Sequence, residues 1–109
     1  MDVAASHEPP RRQLLADTLR KFQERGAEVN ISRLLGRVRP EDVALLLVDL
    51  ESAERRQVFD ILSADFPEAA GDVLTEMAPA QRLELLENLP PERTARLLER
   101  LPVDDAVFV

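Results

Sequence analysis

The sequence predicts an all-α protein, built as an armadillo-like superhelix of short helices of about ten residues each. Three observations predict this fold class. Pairs of apolar residues recur with a spacing of about twelve residues from Gly26 onward. A proline or a helix-starting polar residue stands at a fixed distance before most pairs. Strands are not expected, because the chain has no alternating run rich in Val, Ile and Thr.

The chain is predicted to divide into a disordered tail over residues 1–12 and a helical repeat superhelix over residues 13–109. Small and polar residues dominate the tail, which ends in Pro9, Pro10 and two arginines without any apolar period. The single histidine, His7, falls in this tail. We therefore expect His7 to be exposed and to have no functional role.

The first helix is predicted to begin at Gln13. Leu14, Leu15, Leu19 and Phe22 recur at spacings of three and four residues, which places them on one face of a helix. A glycine is the residue that most easily adopts the left-handed conformation in which many helices end. We therefore expect the helix to end near residue 26.

The rest of the chain consists of repeated units, each with one helix. A unit has its helix start two residues after its first position, and apolar residues eight, nine and twelve residues after it. The predicted helix starts are Pro40, Ser52, Pro67, Pro79 and Pro91. Three inserted residues, 63–65, are expected to form a corner that interrupts the period. Helices this short are marginal alone in water, so the units must stack over a shared core.

Within a unit, the apolar stripe separates core positions from surface positions. Leu85 and Leu97 lie on the stripe and are predicted to be buried. Glu84 is predicted to lie on the solvent face, where its replacement by alanine would have little effect.

Charge and composition argue against two classes of function, nucleic-acid binding and catalysis. The formal net charge is −7, with a net +2 over residues 1–37 and a net −9 over residues 38–109. An acidic surface repels phosphate backbones and attracts cations or basic protein surfaces, so nucleic acid is not an expected partner. The chain has no cysteine, one histidine and no glycine-rich phosphate loop. We therefore expect no enzyme activity.

Three segments resemble the cytosolic N-terminal domain of the MgtE family of magnesium transporters and channels. They are residues 38–42 (VRPED), 83–93 (LELLENLPPER) and 97–106 (LLERLPVDDA). The order of the units, the double proline at 90–91 and the closing Asp-Asp-Ala carry the resemblance, which covers about residues 27–109. The resemblance implies a right-handed superhelix.

The resemblance also implies a regulatory, Mg²⁺-sensing and gating function at the cytoplasmic face of the membrane. In the family, CBS-type domains and a transmembrane pore follow this domain, and Mg²⁺ binds between acidic faces of the domain and the CBS domains. The positions that match acidic residues of the family are Asp72, Asp104 and Asp105. This segment itself is not expected to insert into a membrane.

One position departs from the family pattern. Phe108 stands where the family has a further acidic residue, four positions after Asp104. An apolar side chain there suits a protein contact better than a hydrated cation, so the alternative function is a protein-interaction scaffold without an ion-sensing role. Residues 107–109 would lie within the last predicted helix. A helix that ends there would expose apolar surface, so we expect the chain to be a fragment of a longer protein; the alternative is that a partner or a second copy of the chain, as in a homodimer, covers this surface.

Overall fold

The computed structural model describes the backbone of residues 8–100 and the side chains of residues 13–99. Within the described backbone there are seven helices and no strand, so the predicted all-α class is confirmed. The helices are α1 (Glu8–Glu24), α2 (Glu28–Leu35), α3 (Pro40–Asp49), α4 (Ser52–Asp65), α5 (Pro67–Thr75), α6 (Pro79–Glu87) and α7 (Pro91–Arg100). The superhelical winding and its right hand stay predictions.

The five predicted helix starts are the first residues of α3 to α7. Proline suits this position because its missing N–H would have no partner in the first helical turn. Ser52 replaces proline at the start of α4, and there a capping box satisfies the free backbone groups. Glu51 accepts a hydrogen bond from the backbone N–H of Glu54, and the Glu54 carboxylate accepts one from the Glu51 N–H at 3.1 Å.

Helix α1 begins at Glu8, earlier than the start predicted at Gln13. Pro9 and Pro10 fall in its first turn, where proline is tolerated, and therefore do not delay the helix. The predicted face is only partly correct, because Leu14 is 65 % exposed while Ala16 and Leu19 are buried. His7 and the residues before it lie outside the described part of the chain.

The end of α1 confirms the role predicted for Gly26. This residue has a φ of 67°, in the left-handed region. Its N–H donates to the Gln23 carbonyl at 3.1 Å, and the Ala27 N–H donates to the Phe22 carbonyl at 2.8 Å. This pair of bonds defines a Schellman motif, which satisfies the last carbonyls of the helix.

The predicted corner at residues 63–65 was wrong. These residues continue α4, because none of them breaks a helix and Ser63 is buried with its hydroxyl donating to the Asp60 carbonyl at 3.0 Å. The chain turns instead at Phe66, the single residue between α4 and α5. Pro67 forces the turn there, because the residue before a proline disfavours the helical region.

The helices form two columns. From α3 onward, each helix packs against the helix two before it, so α1, α3, α5 and α7 form one column and α2, α4 and α6 the other. The core lies between the columns and is built mainly from the apolar positions of the repeat. Its largest fully buried side chains include Leu46, Leu47, Val58, Phe59, Leu62, Val73, Leu74, Leu85 and Leu97.

Candidate acidic site

Helix α5 carries the predicted residue Asp72 on its outer side. Ala70, Gly71, Val73 and Leu74 of the same helix are buried and hold it in the core. Asp72 is exposed, and its backbone carbonyl accepts a hydrogen bond from the Thr75 hydroxyl at 2.7 Å. The Asp72 carboxylate has no ion pair or hydrogen bond with any other described residue.

Two further acidic residues surround Asp72 along the helix. Glu68 lies one turn before it and Glu76 one turn after it, and both are exposed. Residues four apart share one side of a helix, so the three side chains make an acidic stripe, which we call the α5 stripe. The stripe concentrates negative charge on a surface that the core does not use.

The donor chemistry of Asp72 fits one carboxylate ligand of a magnesium ion. Mg²⁺ takes oxygen ligands and keeps several waters, so one or two carboxylates suffice on one partner. Among the described residues, however, no group of three or more potential ligand side chains could hold a metal. Asp104, Asp105 and Phe108 lie outside the described part of the chain.

A second acidic residue, Glu84, is bound within the fold. It is 29 % exposed and joins α6 to α4. The Ser52 hydroxyl donates to Glu84 Oε2 at 2.9 Å, and Arg55 Nη1 donates to Glu84 Oε1 at 2.8 Å. These two hydrogen bonds hold the pKa of Glu84 below its usual value of 4.5, and the bond from Ser52 has the larger effect. Glu84 is therefore partly exposed, and its carboxylate already has two hydrogen-bond partners within the fold.

Arg55, which binds Glu84, has a further role that the sequence analysis did not predict. Besides Glu84, Arg55 binds the end of the preceding helix α3: its Nε donates to the Leu47 carbonyl at 2.8 Å and its Nη2 to the Leu50 carbonyl at 2.6 Å. Carbonyls at a helix end carry the negative end of the helix dipole and can accept further hydrogen bonds. The guanidinium therefore stabilises the junction between α3 and α4.

Helices α6 and α7 repeat this arrangement. Arg82, only 4 % exposed, donates from Nε to the Leu74 carbonyl at 3.0 Å and from Nη2 to the Met77 carbonyl at 3.1 Å. Thr94 takes the equivalent place in α7 and donates to the Leu86 carbonyl at 3.2 Å. The signal in the sequence was an arginine five residues after the first position of two units, Leu50 and Met77.

The comparison with protein families agrees with this architecture. Residues 38–109 match the model of the MgtE intracellular N domain, from the residue that begins the unit of α3. The chain belongs to this family. The match begins at residue 38, whereas the resemblance seen in the sequence begins at about residue 27. Neither the curated proteins nor the solved structures gave a significant match.

Membership of the MgtE N domain family associates the chain with MgtE magnesium transporters and with the rest of such a transporter. The family is a transporter-associated domain family rather than a family of enzymes. Helices α1 and α2 precede the matched residues. None of the helices in residues 8–100 combines the length and the apolar character needed to cross a membrane.

Proposed function

We propose that this MgtE N domain is the Mg²⁺-sensing, gating domain of a magnesium transporter or channel. In this proposal it lies at the cytoplasmic face of the membrane and contacts the downstream CBS-type domains, which lead to the transmembrane pore. The observation that carries the proposal is the Asp72 carboxylate, exposed on the α5 stripe and without a protein partner among the described side chains.

The proposed mechanism is electrostatic. The α5 stripe and an acidic face of the next domain repel one another when they approach, and a divalent cation between them supplies the charge that offsets the repulsion. Asp72 would bind the ion from α5, and Asp104 and Asp105 are the other proposed ligands from this chain. Loss of the ion would let the two domains separate, which couples the ion concentration to the pore.

The test is limited proteolysis of the protein extended through its downstream domain. Millimolar Mg²⁺ should protect the junction between the domains, and Asp72→Asn should remove most of this protection because it deletes the charge while keeping the shape. Glu99→Gln, an exposed acid on α7, is the matched control and should keep full protection. If sodium at the same ionic strength protects as well as Mg²⁺, general screening explains the effect and the sensing function is wrong.

The second candidate is a protein-interaction scaffold of the same superhelical class. Two observations favour it: Phe108 at an expected acidic position, and the lack of a three-ligand cluster within the described residues. The proteolysis experiment separates the two candidates. A scaffold would show a junction that is protected equally with and without Mg²⁺, and no response to Asp72→Asn.

A further inference from the structure

The exposed side of helix α3 is apolar at its centre. Leu45 is 47 % exposed and Val48 is 42 % exposed, and residues three apart are neighbours on one side of a helix. The core holds α3 through other residues, among them Val43, Leu46 and Leu47, which are buried. Leu45 and Val48 therefore form a small apolar surface outside the core, which we call the α3 patch.

The repeat indicates that the fold does not require the α3 patch. Leu45 stands seven residues after the first position of its unit, and Val48 stands ten residues after it. The five other complete units have polar residues or a glycine at these positions: Arg33, Gln57, Asp72, Glu84 and Arg96 at the first, and Gly36, Asp60, Thr75, Glu87 and Glu99 at the second. Phe108, in the unfinished last unit, lies outside the described residues. Among the described helices, an apolar pair at these positions is therefore particular to α3.

Carboxylates surround the α3 patch on its own helix. The residues three or four positions from Leu45 along α3 are Val48 and the acids Glu41, Asp42 and Asp49, and all four are exposed. Glu41 and Asp42 have no ion pair or hydrogen bond with another described residue. An apolar centre flanked by carboxylates is complementary to a surface with an apolar centre flanked by cations.

The next helix of the same column extends the acidic surroundings of the α3 patch. Helix α5 packs on α3, and the α5 stripe occupies the positions three, seven and eleven residues after the first position of its unit. In α3 these positions are Glu41, Leu45 and Asp49. Equivalent positions of stacked repeats face the same way, so the α5 stripe and the α3 patch lie on the same outer side of the column.

The arginines in this part of the fold lie at the border of the α3 patch rather than on it. Arg20 of α1 pairs with Asp17 at 3.4 Å and with Glu54 at 3.5 Å. Arg37 and Arg39 are exposed, but they precede α3, and Arg39 is the residue just before its first turn. Helix α3 itself contains no basic residue. The charge beside the apolar pair is therefore negative.

We propose that the α3 patch binds a basic amphipathic helix of another protein. Apolar residues of that helix would pack on Leu45 and Val48, and its lysines or arginines would lie against Glu41, Asp42 and Asp49. The same carboxylates would repel an acidic helix. This interaction needs no metal ion, so it goes beyond the proposed cation response and does not depend on it.

The test titrates three synthetic helical peptides into the 109-residue chain by calorimetry, in buffer with EDTA. The first peptide carries leucines at helical spacing and lysines elsewhere. The second has glutamates in place of the lysines and should not bind. The third keeps the lysines but has alanines in place of the leucines. It should bind at least about tenfold more weakly than the first, because an acidic chain attracts any cationic peptide but only the first also buries apolar side chains on the patch.

Two double variants locate the binding surface. Leu45→Ser/Val48→Ser should weaken the first peptide about tenfold, because it removes the apolar contact. Glu41→Gln/Asp42→Asn should weaken it about fivefold, because it removes two carboxylates beside that contact. All four positions are exposed, so both variants should fold, which far-ultraviolet circular dichroism checks.

Matched control variants make the same changes elsewhere on the surface. Val29→Ser/Leu83→Ser replaces two exposed apolar residues of other helices, and Glu24→Gln/Glu87→Gln neutralises two exposed acids of other helices. Each should change the affinity less than about twofold. Absence of binding by the first peptide, equal binding of the first and third peptides, or equal losses in the patch variants and their controls would overturn the proposal. So would self-association in sedimentation that Leu45→Ser/Val48→Ser abolishes, because a second copy of the chain would then occupy the patch.

Discussion

Arg55 and Arg82 make the same two hydrogen bonds, each to the end of the helix that precedes its own. In both, Nε donates to the backbone carbonyl eight residues earlier and Nη2 to the one five residues earlier. The two arginines stand at the same position of their units, two units apart along the even-numbered column. At each of these two junctions of the repeat, one arginine side chain therefore links two consecutive helices.

Arg82→Ala should destabilise the domain by about 2–4 kcal/mol, because it removes charge-assisted hydrogen bonds from a buried site. Arg82→Lys should recover less than half of this loss, since an ammonium cannot reproduce the planar arrangement of the guanidinium donors. Urea unfolding followed by circular dichroism measures both effects. Arg96→Ala is the exposed control and should change stability by about 0.5 kcal/mol at most; an equal loss there would contradict the capping role.

Leu85→Asp should prevent folding, whereas Leu83→Asp on the same helix should not. Leu85 is 1 % exposed and Leu83 is 42 % exposed. A buried unpaired carboxylate together with the lost packing costs about 4 kcal/mol or more, which is most of the stability of a small domain. Far-ultraviolet circular dichroism of the two variants makes the comparison. A folded Leu85→Asp variant would show that α6 presents a different side to the core.

Replacement of Glu84 should remove a pH-dependent part of the stability. Its pKa is lower in the folded state than in the unfolded chain, so the folded state holds the proton less strongly. The stabilisation is therefore complete above the usual value of 4.5 and is lost as the pH falls through the lower folded value. We expect Glu84→Gln to lower the free energy of unfolding at pH 7 by about 1 kcal/mol.

This difference between the wild-type chain and Glu84→Gln should shrink as the pH is lowered through that range. Urea unfolding at several pH values measures it. Glu99→Gln, which changes an exposed acid with no hydrogen bond among the described residues, should show no such trend. A constant difference across the pH series would mean that Glu84 contributes by shape and not by charge.

The sequence predicted the helix starts well because each depends on local chemistry. Proline at the first helical position and an apolar pair eight residues into the unit need no information from distant parts of the chain. The prediction for residues 63–65 was wrong because it relied on the strict period of the repeat, whereas nothing in those residues ends a helix. The chain turns only just before Pro67.

The candidate site was only partly predictable. The helical stripe pattern implies that Asp72 lies opposite the buried residues of α5, and the structure places it there. The contacts of Glu84 and Arg82 could not be predicted, because they join helices far apart in sequence whose relative placement the pattern does not determine. Whether Asp104 and Asp105 approach Asp72 depends on residues outside the described part of the chain.

The two-column packing restricts how such a chain can change its length. Because successive helices alternate between columns, the loss or duplication of one unit would transfer every later helix to the opposite column. The α5 stripe would then lie on the opposite side of the molecule, away from the surface that it faces in the present arrangement. Gain or loss of units in pairs preserves the orientation of every downstream surface, so a lineage of this fold should vary by even numbers of helices.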